Sequence, residues 1–486
     1  MTETLSGSEI RTGLYIAGQH QDSAESFAVH DPADPQLIVG YAAAASDAQA
    51  RAAVAAAAEA FPAWAALSAR ERADQVRASL GALAADNDER VALLSRENGK
   101  VKSECEIEMH VFDARFNLAA DLADVVDAVD ELPAPPFRTQ VSHLPLGVVS
   151  LIVPFNWPLA ILAASLPQAL VAGNTVVVKA PPTTPLSFVR TVEHIATQLP
   201  PGVLNVVSGA DAVLGPVLIQ DPRVRKVTFT GSVGAGKRIM AMAADNLTRV
   251  TLELGGNDPA LVLADADVDE ETIGKLFIGA FLTTGQVCMA MKRLYVHRSH
   301  YDAVVEGLSG ALGAQRLGAG LDRDATMGPL HSPRQREFVS SLLDEVRDGT
   351  EVRELGEAVD EDAFARGQFL RPSLVLDPDP GARIVTEEQF GPTLPIIPFD
   401  DEEAAIAAAN DTWSGLCSSV WTSDPEHAAR VAARLRTGTT FVNAHNAPFL
   451  DERAPFGGFN QSGMGREMGG EGILEFTDSH SVSFPG

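Results

Sequence analysis

The sequence has 486 residues, of which 45% are hydrophobic and 21% are charged, with a formal net charge of −28 at pH 7. This length predicts roughly two to four domains with ample apolar core. The negative charge disfavours nucleic acids and anionic membrane surfaces as partners, although a locally positive site can still hold an anionic cofactor.

The small number of cysteines indicates the kind of cellular compartment in which the protein works. The three of them, Cys105, Cys288 and Cys417, are an odd number, which gives no disulfide framework and fits a reducing environment. Residues 1–13 contain acidic side chains and no apolar run, so no signal peptide is expected. The Ala-rich stretch 41–67 is interrupted by charges and predicts a water-soluble helix rather than a membrane span. We therefore expect a cytoplasmic protein.

Strand-like and helix-like segments alternate from residue 146 onward. The first series consists of the strand LGVVSLIVPFN, the helix WPLAILAASLPQALVAG, the strand NTVVVKA, the helix PLSFVRTVEHIATQL and the strand VLNVVSG. The stretch 226–240 and the strand RVTLELGG continue this series. Such a β-α-β-α-β order predicts a parallel sheet covered by helices.

A second series of the same kind follows residue 256. It contains the helix IGKLFIGAFL, the strand KRLYVH, the helices YDAVVEGLSGALGAQ and EEAAIAAAN, and the strand TTFVNA. The sequence therefore predicts an α/β fold with two open parallel-sheet domains and a boundary near Gly255-Gly256. The Pro-rich stretch ELPAPPFRTQVSHLPLG interrupts the first series, and its RTQVSHLP part predicts an edge strand in an arm between subunits.

The stretch KVTFTGSVGAGKRIM, residues 226–240, has the spacing of a phosphate-binding loop. Gly231 and the pair Gly236-Lys237 match G-x-x-x-x-G-K, but Arg238 replaces the Ser or Thr whose hydroxyl binds Mg²⁺. A strand, a Gly-rich turn and a helix start remain, and the free N–H groups of a helix start favour an anion. From these residues alone, a phosphate site and a tight turn that needs glycine stay equally open.

Three separate residues are candidates for chemistry. Cys288, in TTGQVCMA, follows a Gly-containing loop, although a lone cysteine is more often a small buried apolar residue, as Cys105 and Cys417 are expected to be. Glu253 ends a strand in TLELGGND, where a carboxylate is either a base with a raised pKa or a cap of the next segment. Asn156, in VPFNWPLA, either donates to an oxyanion or closes a turn. No metal site is predicted.

Seven motifs in one order resemble those of the aldehyde dehydrogenase superfamily, over nearly the whole length. They are PFNWP (154–158), VVVK ending at Lys179, FTGSVGAG (229–236), LELGGNDP (252–259), GQVCMA (285–290), EEQFGPTLP (387–395) and PFGGFNQSGMGRE (455–467). The resemblance implies an oxidoreductase that oxidises an aldehyde to the carboxylate with NAD or NADP, through a cysteine hemithioacetal and a thioester.

The resemblance also implies roles for the three candidates. Cys288 is the nucleophile, and Asn156 donates to the oxyanion together with the Cys288 backbone N–H. Glu253 activates the water that hydrolyses the thioester.

The same resemblance implies roles for the parts of the chain. Residues 1–127 and 146–255 form a Rossmann-like cofactor-binding domain, and residues 256–455 form the catalytic domain. Residues 128–145 and 471–486 form a small β arm, because they resemble the family's bridging strands. Such strands add to a neighbour's sheet, so a homodimer or homotetramer is expected.

Seven further residues match cofactor-binding positions of the family. One matches a lysine at the adenosine ribose, and two match a turn whose helix start faces the pyrophosphate. Two match a Glu and a Phe at the nicotinamide ribose and ring, and two belong to the same motifs. In that order they are Lys179, Gly231 and Ser232, Glu388 and Phe390, and Phe229 and Gly255.

Pro182 departs from the pattern of many NAD-preferring members, which carry Glu three residues after the lysine. Loss of that carboxylate removes repulsion against a 2′-phosphate, which makes NADP admissible. The resemblance therefore leaves NAD and NADP both open, and we expect dual use.

Spacing from the motifs predicts an apolar substrate pocket, although some of its residues have plain core packing as an alternative. No Arg or Lys is among them, so we expect a neutral aliphatic or aromatic aldehyde rather than an anionic semialdehyde. The residues are Trp157, Ile161, Ala164, Leu282, Val287, Met289 and Leu450.

The same residues also argue against other possible functions. A CoA-acylating member of the family usually lacks the Glu base, so Glu253 argues against it, and a semialdehyde dehydrogenase is the alternative on substrate. Arg238 argues against a P-loop phosphotransferase. A non-catalytic protein on this fold is opposed by the presence of Cys288, Glu253 and Asn156 together.

Overall fold

A computed structural model of the protein describes residues 9–81, 83–134 and 136–485. Parts of two predictions therefore lie outside the described residues. The predicted domains and arm include positions 1–8, 82, 135 and 486, which are not among the described residues. The stretch 1–13, which is predicted to lack a signal peptide, has its first eight residues outside them as well.

The first large sheet has eight strands. Their bounds, with labels in chain order, are β2 (Leu14–Ile16), β3 (Gln19–Gln21), β8 (Val148–Ile152), β9 (Thr175–Lys179), β10 (Leu204–Val207), β11 (Val224–Gly231), β12 (Arg249–Leu254) and β22 (Gly463–Met464). The spatial order is β22-β12-β11-β8-β9-β10-β2-β3. Pairings from β12 to β10 are parallel, whereas the short strands β2, β3 and β22 at the two sides of the sheet pair antiparallel.

The second large sheet has seven strands. They are β13 (Asp258–Val262), β14 (Met291–His297), β16 (Glu351–Glu354), β18 (Ser373–Leu376), β19 (Thr393–Phe399), β20 (Cys417–Trp421) and β21 (Thr439–Val442). The order is β16-β18-β19-β14-β13-β20-β21, with β16 as the antiparallel edge. The α/β fold with parallel sheets that the sequence predicts is confirmed, and the antiparallel edges are additions that come from short strands outside the β-α-β series.

The remaining strands of the described residues form three small sheets. They are formed by β1 (Arg11–Thr12), β4 (Glu25–Asp31) and β5 (Asp34–Ala44), by β15 (Arg316–Leu317) and β17 (Glu357–Ala358), and by β6 (Asp130–Ala134), β7 (Phe137–Pro145) and β23 (Thr477–Pro485). In the last of these, β7 lies between β6 and β23 and pairs antiparallel with both. The two predicted arm segments therefore lie side by side.

Helices connect and cover the strands. In chain order they are α1 (Asp47–Ala65), α2 (Ala69–Ala78), α3 (Asn87–Asn98), α4 (Lys102–Asp121), α5 (Ala123–Val126), α6 (Pro158–Val171), α7 (Leu186–Thr197), α8 (Asp211–Gln220), α9 (Val233–Ala243), α10 (Glu270–Phe281), α11 (Tyr301–Gly313), α12 (Pro333–Val346), α13 (Glu361–Arg366), α14 (Arg383–Thr386), α15 (Glu402–Asn410), α16 (Pro425–Ala432) and α17 (Gly469–Leu474). None of them is long and apolar enough to cross a membrane, within the part of the chain that is described.

Local sequence explains why two helices that matter for the site begin where they do. Helix α6 starts at Pro158, whose fixed φ suits the first helical position and whose missing N–H is not needed there. Helix α9 starts after Ser232, whose Oγ accepts from Ala235 N–H at 3.3 Å and so caps the helix.

The two large sheets follow one another through a very short link. Strand β12 ends at Leu254 and β13 begins at Asp258, so only Gly255, Gly256 and Asn257 connect them. The predicted boundary near Gly255-Gly256 lies in this link. Because parallel strands present their carboxyl ends at one edge of a sheet, the link places Glu253 at that edge of the first sheet.

Candidate active site

Cys288 lies in a loop whose preceding turn has an uncommon backbone conformation. Thr283, Thr284 and Gly285 all have positive φ angles, of 54°, 56° and 71°. Left-handed backbone is unfavourable for β-branched residues, and it persists only where surrounding contacts impose it. The turn therefore fixes the direction in which the chain enters the cysteine loop, residues 286–290.

Contacts from other segments hold this turn. Glu104 on α4 accepts a hydrogen bond of 2.6 Å from the Thr283 N–H, and Trp157 Nε1 donates to Thr283 Oγ1 over 3.0 Å. An added Cβ at Gly285 would overlap the carbonyl oxygen of Gly391, so glycine is required there. Sequence reasoning missed Glu104, because a helix with the sequence SECEIEMH suggests a solvated face.

A buried lysine lies against the cysteine loop. Lys292 Nζ donates to the carbonyl oxygens of Val287, Cys288 and Ala290 at 2.8, 3.1 and 3.0 Å. No motif points to this residue, although its position four residues after Cys288 is a usable signal. The ammonium group ties the ends of the loop together.

Asn156 reaches the same loop from the end of the strand β8. Its side chain is buried, and Nδ2 donates to the carbonyl oxygen of Gln286 at 3.0 Å. An amide NH₂ group has two N–H donors, so one of them holds the loop and the second is left for another acceptor. The amide of Asn156 is thus bonded to Gln286, which lies two residues before Cys288 in the chain.

Glu253 is a buried carboxylate at the end of β12. Within the described part of the chain, neither of its oxygens has a hydrogen-bond partner. Burial raises its pKa well above the usual range, and the negative charge of Glu467 raises it further. A carboxylate with a raised pKa and free oxygens has the properties that a general base requires.

Glu467 forms the second half of this acidic pair and was not singled out from sequence. It is buried and accepts a hydrogen bond of 2.5 Å from Ser165 Oγ on helix α6. Burial raises its pKa as well. Its location in the motif PFGGFNQSGMGRE was visible in the sequence, but its proximity to Glu253 depends on tertiary packing.

The thiol of Cys288 has a raised pKa. Burial raises the pKa to about 12, and the positive charge of Lys292 opposes that rise. The carboxylates of Glu253, Glu388 and Asp258 contribute smaller increases. The thiol is therefore held in its protonated form near neutral pH and needs help to become a nucleophile.

Four of the predicted cofactor residues lie at the carboxyl edge of the first sheet. Lys179 ends β9, is buried, and its Nζ lies 2.5 Å from Asp211 Oδ1 at the start of α8. Phe229 and Gly231 lie at the end of β11, and Ser232 caps α9. The structure thus brings one ammonium group and one helix start to the same edge of the sheet, on strands β9 and β11 that are separated by β8. A helix start and a nearby positive charge suit a phosphate group.

Of the other three predicted cofactor residues, Gly255 and Glu388 meet at the link between the sheets, and Phe390 packs near Phe155. The Gly256 N–H donates to Glu388 Oε1 at 3.3 Å, and an added Cβ at Gly255 would overlap Glu388 Oε2. Phe390 has a positive φ of 50°, and its ring stands edge-on to that of Phe155 at 6.2 Å between centroids. Glycine at 255 therefore allows Glu388 to approach the link closely.

The predicted substrate-pocket residues belong to one apolar cluster that includes Cys288. Some members are buried and others are partly buried at its edge, which is expected for the wall of an opening. The predicted residues in this cluster are Trp157, Ile161, Ala164, Leu282, Val287, Met289 and Leu450.

A cavity of about 340 Å³ adjoins this cluster at Ala164 and Met468. Its wall contains an ion pair that sequence reasoning missed. Arg115 Nε and Nη2 donate to the two carboxylate oxygens of Glu452 at 2.6 and 2.9 Å. Because this pairing is bidentate, the charge of the arginine is compensated by its own neighbour.

Comparison with known proteins agrees with this geometry. The family model described as the aldehyde dehydrogenase family matches residues 19–482. The chain is 37% identical to a geranial dehydrogenase of Castellaniella defragrans, over 86% of this chain and 87% of the relative. It is 34% identical to a glutarate-semialdehyde dehydrogenase of Pseudomonas putida, over 96% of each protein.

Solved structures give the same result. A betaine aldehyde dehydrogenase from Staphylococcus aureus, in complex with NAD+, superposes with a TM-score of 0.92 at 32% identity and covers 98% of this chain and 94% of its own. An NADP dependent enzyme from E. coli reaches a TM-score of 0.93 at 32% identity, with 98% of each chain covered. The family that the sequence motifs indicate is confirmed: the chain belongs to the aldehyde dehydrogenase family and is an enzyme that oxidises aldehydes.

Proposed function

We propose that the protein oxidises a neutral aldehyde to the carboxylate with NAD or NADP, and that hydrolysis, rather than transfer to CoA, completes the reaction. The observation that carries this proposal is the buried carboxylate of Glu253 near Cys288, with both oxygens free of protein partners among the described residues. A CoA-acylating enzyme has no need for such a base.

The residues of the cysteine loop prepare the first step. Cys288 Sγ, once deprotonated, binds the aldehyde carbon, and the carbonyl oxygen becomes an oxyanion. The second N–H of Asn156 and the Cys288 N–H donate to that oxyanion. NAD or NADP, which Lys179, Ser232 and Glu388 would hold, would supply the acceptor for the hydride on the hemithioacetal carbon, and that carbon would then be the carbonyl of a thioester on Cys288.

Glu253 completes the cycle. Its carboxylate takes a proton from a water molecule, and the hydroxide attacks the thioester carbon and releases the carboxylic acid and the Cys288 thiolate. The acid then loses its proton to solvent and leaves as the carboxylate. Glu253 then returns the proton to solvent or to the thiolate. The raised pKa of Glu253 makes it a stronger base than an exposed glutamate.

Cofactor reduction by the purified protein tests this function. We expect wild type to reduce NAD or NADP with an aldehyde in the absence of CoA, and Cys288→Ala to lose at least about a thousandfold in rate. Cys105→Ala is the matched control, because that buried thiol lies on α4 and should leave the rate unchanged. Dependence of turnover on CoA would contradict the hydrolytic route.

The proposed substrate is a neutral aliphatic or aromatic aldehyde. The pocket residues are apolar, and the two arginines in the wall of the adjoining cavity are already paired, Arg115 with Glu452 and Arg453 with Asp451. A panel of benzaldehydes, terpenoid and linear aldehydes, and succinic and glutaric semialdehydes separates the alternatives. Highest kcat/KM with a semialdehyde would contradict the proposal.

Cofactor preference follows from Pro182, which lies exposed in the turn after Lys179. No carboxylate at this position repels a 2′-phosphate, so we propose that both NAD and NADP are used. The KM values for the two cofactors should lie within about tenfold of each other, since no strong repulsion of about 1.4 kcal/mol or more acts on one of them. Strict preference for NAD would contradict this.

The β arm supports a homodimer or homotetramer. Five large apolar side chains are exposed on its three strands, which is unusual for a surface that faces water. Sedimentation analysis should find an oligomer, and Phe137→Asp with Phe484→Asp should weaken it. The five are Leu132, Phe137, Leu144, Val482 and Phe484.

A cytoplasmic location is proposed from the cysteines. Cys105, Cys288 and Cys417 are all free thiols in the structure, and a reactive thiol is best preserved in a reducing compartment. Cell fractionation tests this, and recovery of the protein mainly outside the cytoplasm would contradict it.

A further inference from the structure

The environment of Lys292 is unusual for a buried ammonium group. Its side chain is only 3% exposed, and its three N–H donors match the three carbonyl oxygens of Val287, Cys288 and Ala290. The nearest approach of a carboxylate is that of Glu388, whose Oε1 lies 4.0 Å away. The charge is therefore solvated by backbone dipoles and not neutralised by a directly bonded anion.

The bond to Val287 also fixes a peptide plane. In a trans peptide the C=O of one residue and the N–H of the next point in opposite directions. Since the Val287 oxygen is held by Lys292 Nζ at 2.8 Å, the Cys288 N–H points away from the ammonium group. Among the described residues this N–H donates to no protein acceptor, so it is free to serve an oxyanion.

We propose that Lys292 is a positioning residue for Cys288, which aims the Cys288 N–H at the oxyanion site and supplies the positive charge that favours the thiolate. This inference rests on the proposed function of Cys288 as the nucleophile. Lys292 does not itself contact the aldehyde in this proposal; it acts through the loop that it binds.

The groups around the thiol make this charge necessary. Three carboxylates, Glu253, Glu388 and Asp258, each disfavour a thiolate at Cys288, and Lys292 is the cation that opposes them. Burial raises the pKa of Asp258 to about 8 and raises that of Glu388, and Lys292 counteracts both shifts.

Two more titratable groups face Lys292 or the thiol from neighbouring segments. Burial lowers the pKa of His445 to about 3, and Lys292 lowers it further, so the imidazole stays neutral near pH 7. Burial raises the pKa of the Cys417 thiol, which therefore also stays neutral. Neither group can replace the positive charge of Lys292.

The decisive measurement is the rate at which iodoacetamide alkylates Cys288 as a function of pH, followed by peptide mass spectrometry. Only the thiolate reacts, so the rate reports its population. For Lys292→Met we expect alkylation at least about tenfold slower than wild type at each pH from 7 to 10, because one pKa unit changes the thiolate population tenfold. Lys292→Arg should stay within about threefold of wild type, because it keeps the charge.

A matched control separates charge at the thiol from general damage to the fold. Lys226 is also a fully buried lysine, but it lies on β11 and its Nζ contacts Thr251 Oγ1 at 2.7 Å and Glu475 Oε2 at 3.2 Å. Lys226→Met should lower the melting temperature without slowing alkylation of Cys288. If Lys292→Met does not fold, Lys292→Gln removes the charge while keeping two N–H donors, and it should alkylate as slowly as expected for Met.

The outcomes distinguish this inference from the proposed function. Alkylation of folded Lys292→Met or Lys292→Gln at the wild-type rate overturns the role of Lys292, even if wild type oxidises aldehydes. Equal slowing in Lys226→Met also overturns it. Slow alkylation in the charge-removing variants alone supports the inference, and it does so independently of aldehyde turnover, so a wild type that oxidises no aldehyde would contradict only the proposed function.

Discussion

At the scale of single residues, the site depends on a carboxylate whose pKa is set by its neighbours. Glu253 has no hydrogen-bond partner within the described chain, and burial and the charge of Glu467 both raise its pKa. A base acts only in its ionised form, so the rate of thioester hydrolysis should rise with pH through this raised pKa. The acid limb of the pH profile therefore reports the surroundings of Glu253.

Replacing Glu467 by Gln should shift that acid limb to lower pH. The substitution removes a negative charge beside Glu253, while the Gln oxygen can still accept from Ser165 Oγ. The measurement is single-turnover hydrolysis of the thioester between pH 5 and 9, with Ser165→Ala as a control for packing. An unchanged or upward-shifted limb would contradict the expectation that the charge of Glu467 raises the pKa of Glu253.

Sequence motifs identified Cys288, Glu253 and Asn156 because chemistry restricts the residue type at those positions. They did not identify Lys292 or Glu104, since a lysine at the start of a strand and a glutamate on a charged helix are ordinary surface features in sequence. Their importance comes from burial, which tertiary packing determines and which no local pattern records. The side-chain contacts therefore had to come from the structure.

At the scale of elements, helix α4 stabilises both halves of the site. Its Glu104 accepts from the Thr283 N–H, and its Glu108 accepts from the N–H groups of Leu159 and Ala160 at the start of α6. Glu108 is also paired with Lys100 in the interior. The cysteine loop and the segment that carries Asn156 are thus both held by contacts with one helix.

Glu104→Ala should therefore lower both stability and activity. The change leaves the buried Thr283 N–H without an acceptor in a turn whose φ is already unfavourable, which should cost about 1–3 kcal/mol of folding free energy. Thermal unfolding and kcat/KM measure the two effects. Glu104→Gln keeps an accepting oxygen and should lose less in both, whereas equal losses would point to the charge and not to the hydrogen bond.

The order of elements was predictable because the apolar runs alternate at strand and helix lengths from residue 146. The short strands β2, β3 and β22 were not predicted, because two- and three-residue strands carry no periodicity. They form only because a neighbouring strand already exposes its hydrogen-bonding groups. Long elements are thus encoded locally, and the short ones by the sheet that they join.

At the scale of the whole molecule, the buried titratable groups make stability depend on pH. Burial raises the pKa of Asp258 to about 8 from an ordinary value of 3.8, so the folded protein binds this proton more tightly than the unfolded chain does. That contribution is fully present below about pH 4 and is lost as pH rises to about 8.

Asp258→Asn should flatten the decline of the melting temperature between pH 5 and 8, because Asn stays neutral throughout. The exposed Asp74→Asn on α2 is the control and should leave the slope unchanged. Melting temperatures measured across this range test the expectation. A slope as steep as that of wild type would show that another group carries the pH dependence.

The left-handed turn at Thr283, Thr284 and Gly285 has a consequence for the order in which the molecule matures. Its φ angles are imposed by partners on α4 and by Trp157, and these partners are in place only after both large sheets have come together. We expect the cysteine loop to be among the last segments to reach its final conformation during folding. A newly made chain would then form its secondary structure before the loop around Cys288 adopts its final conformation. It would therefore pass through a largely folded stage that has no activity.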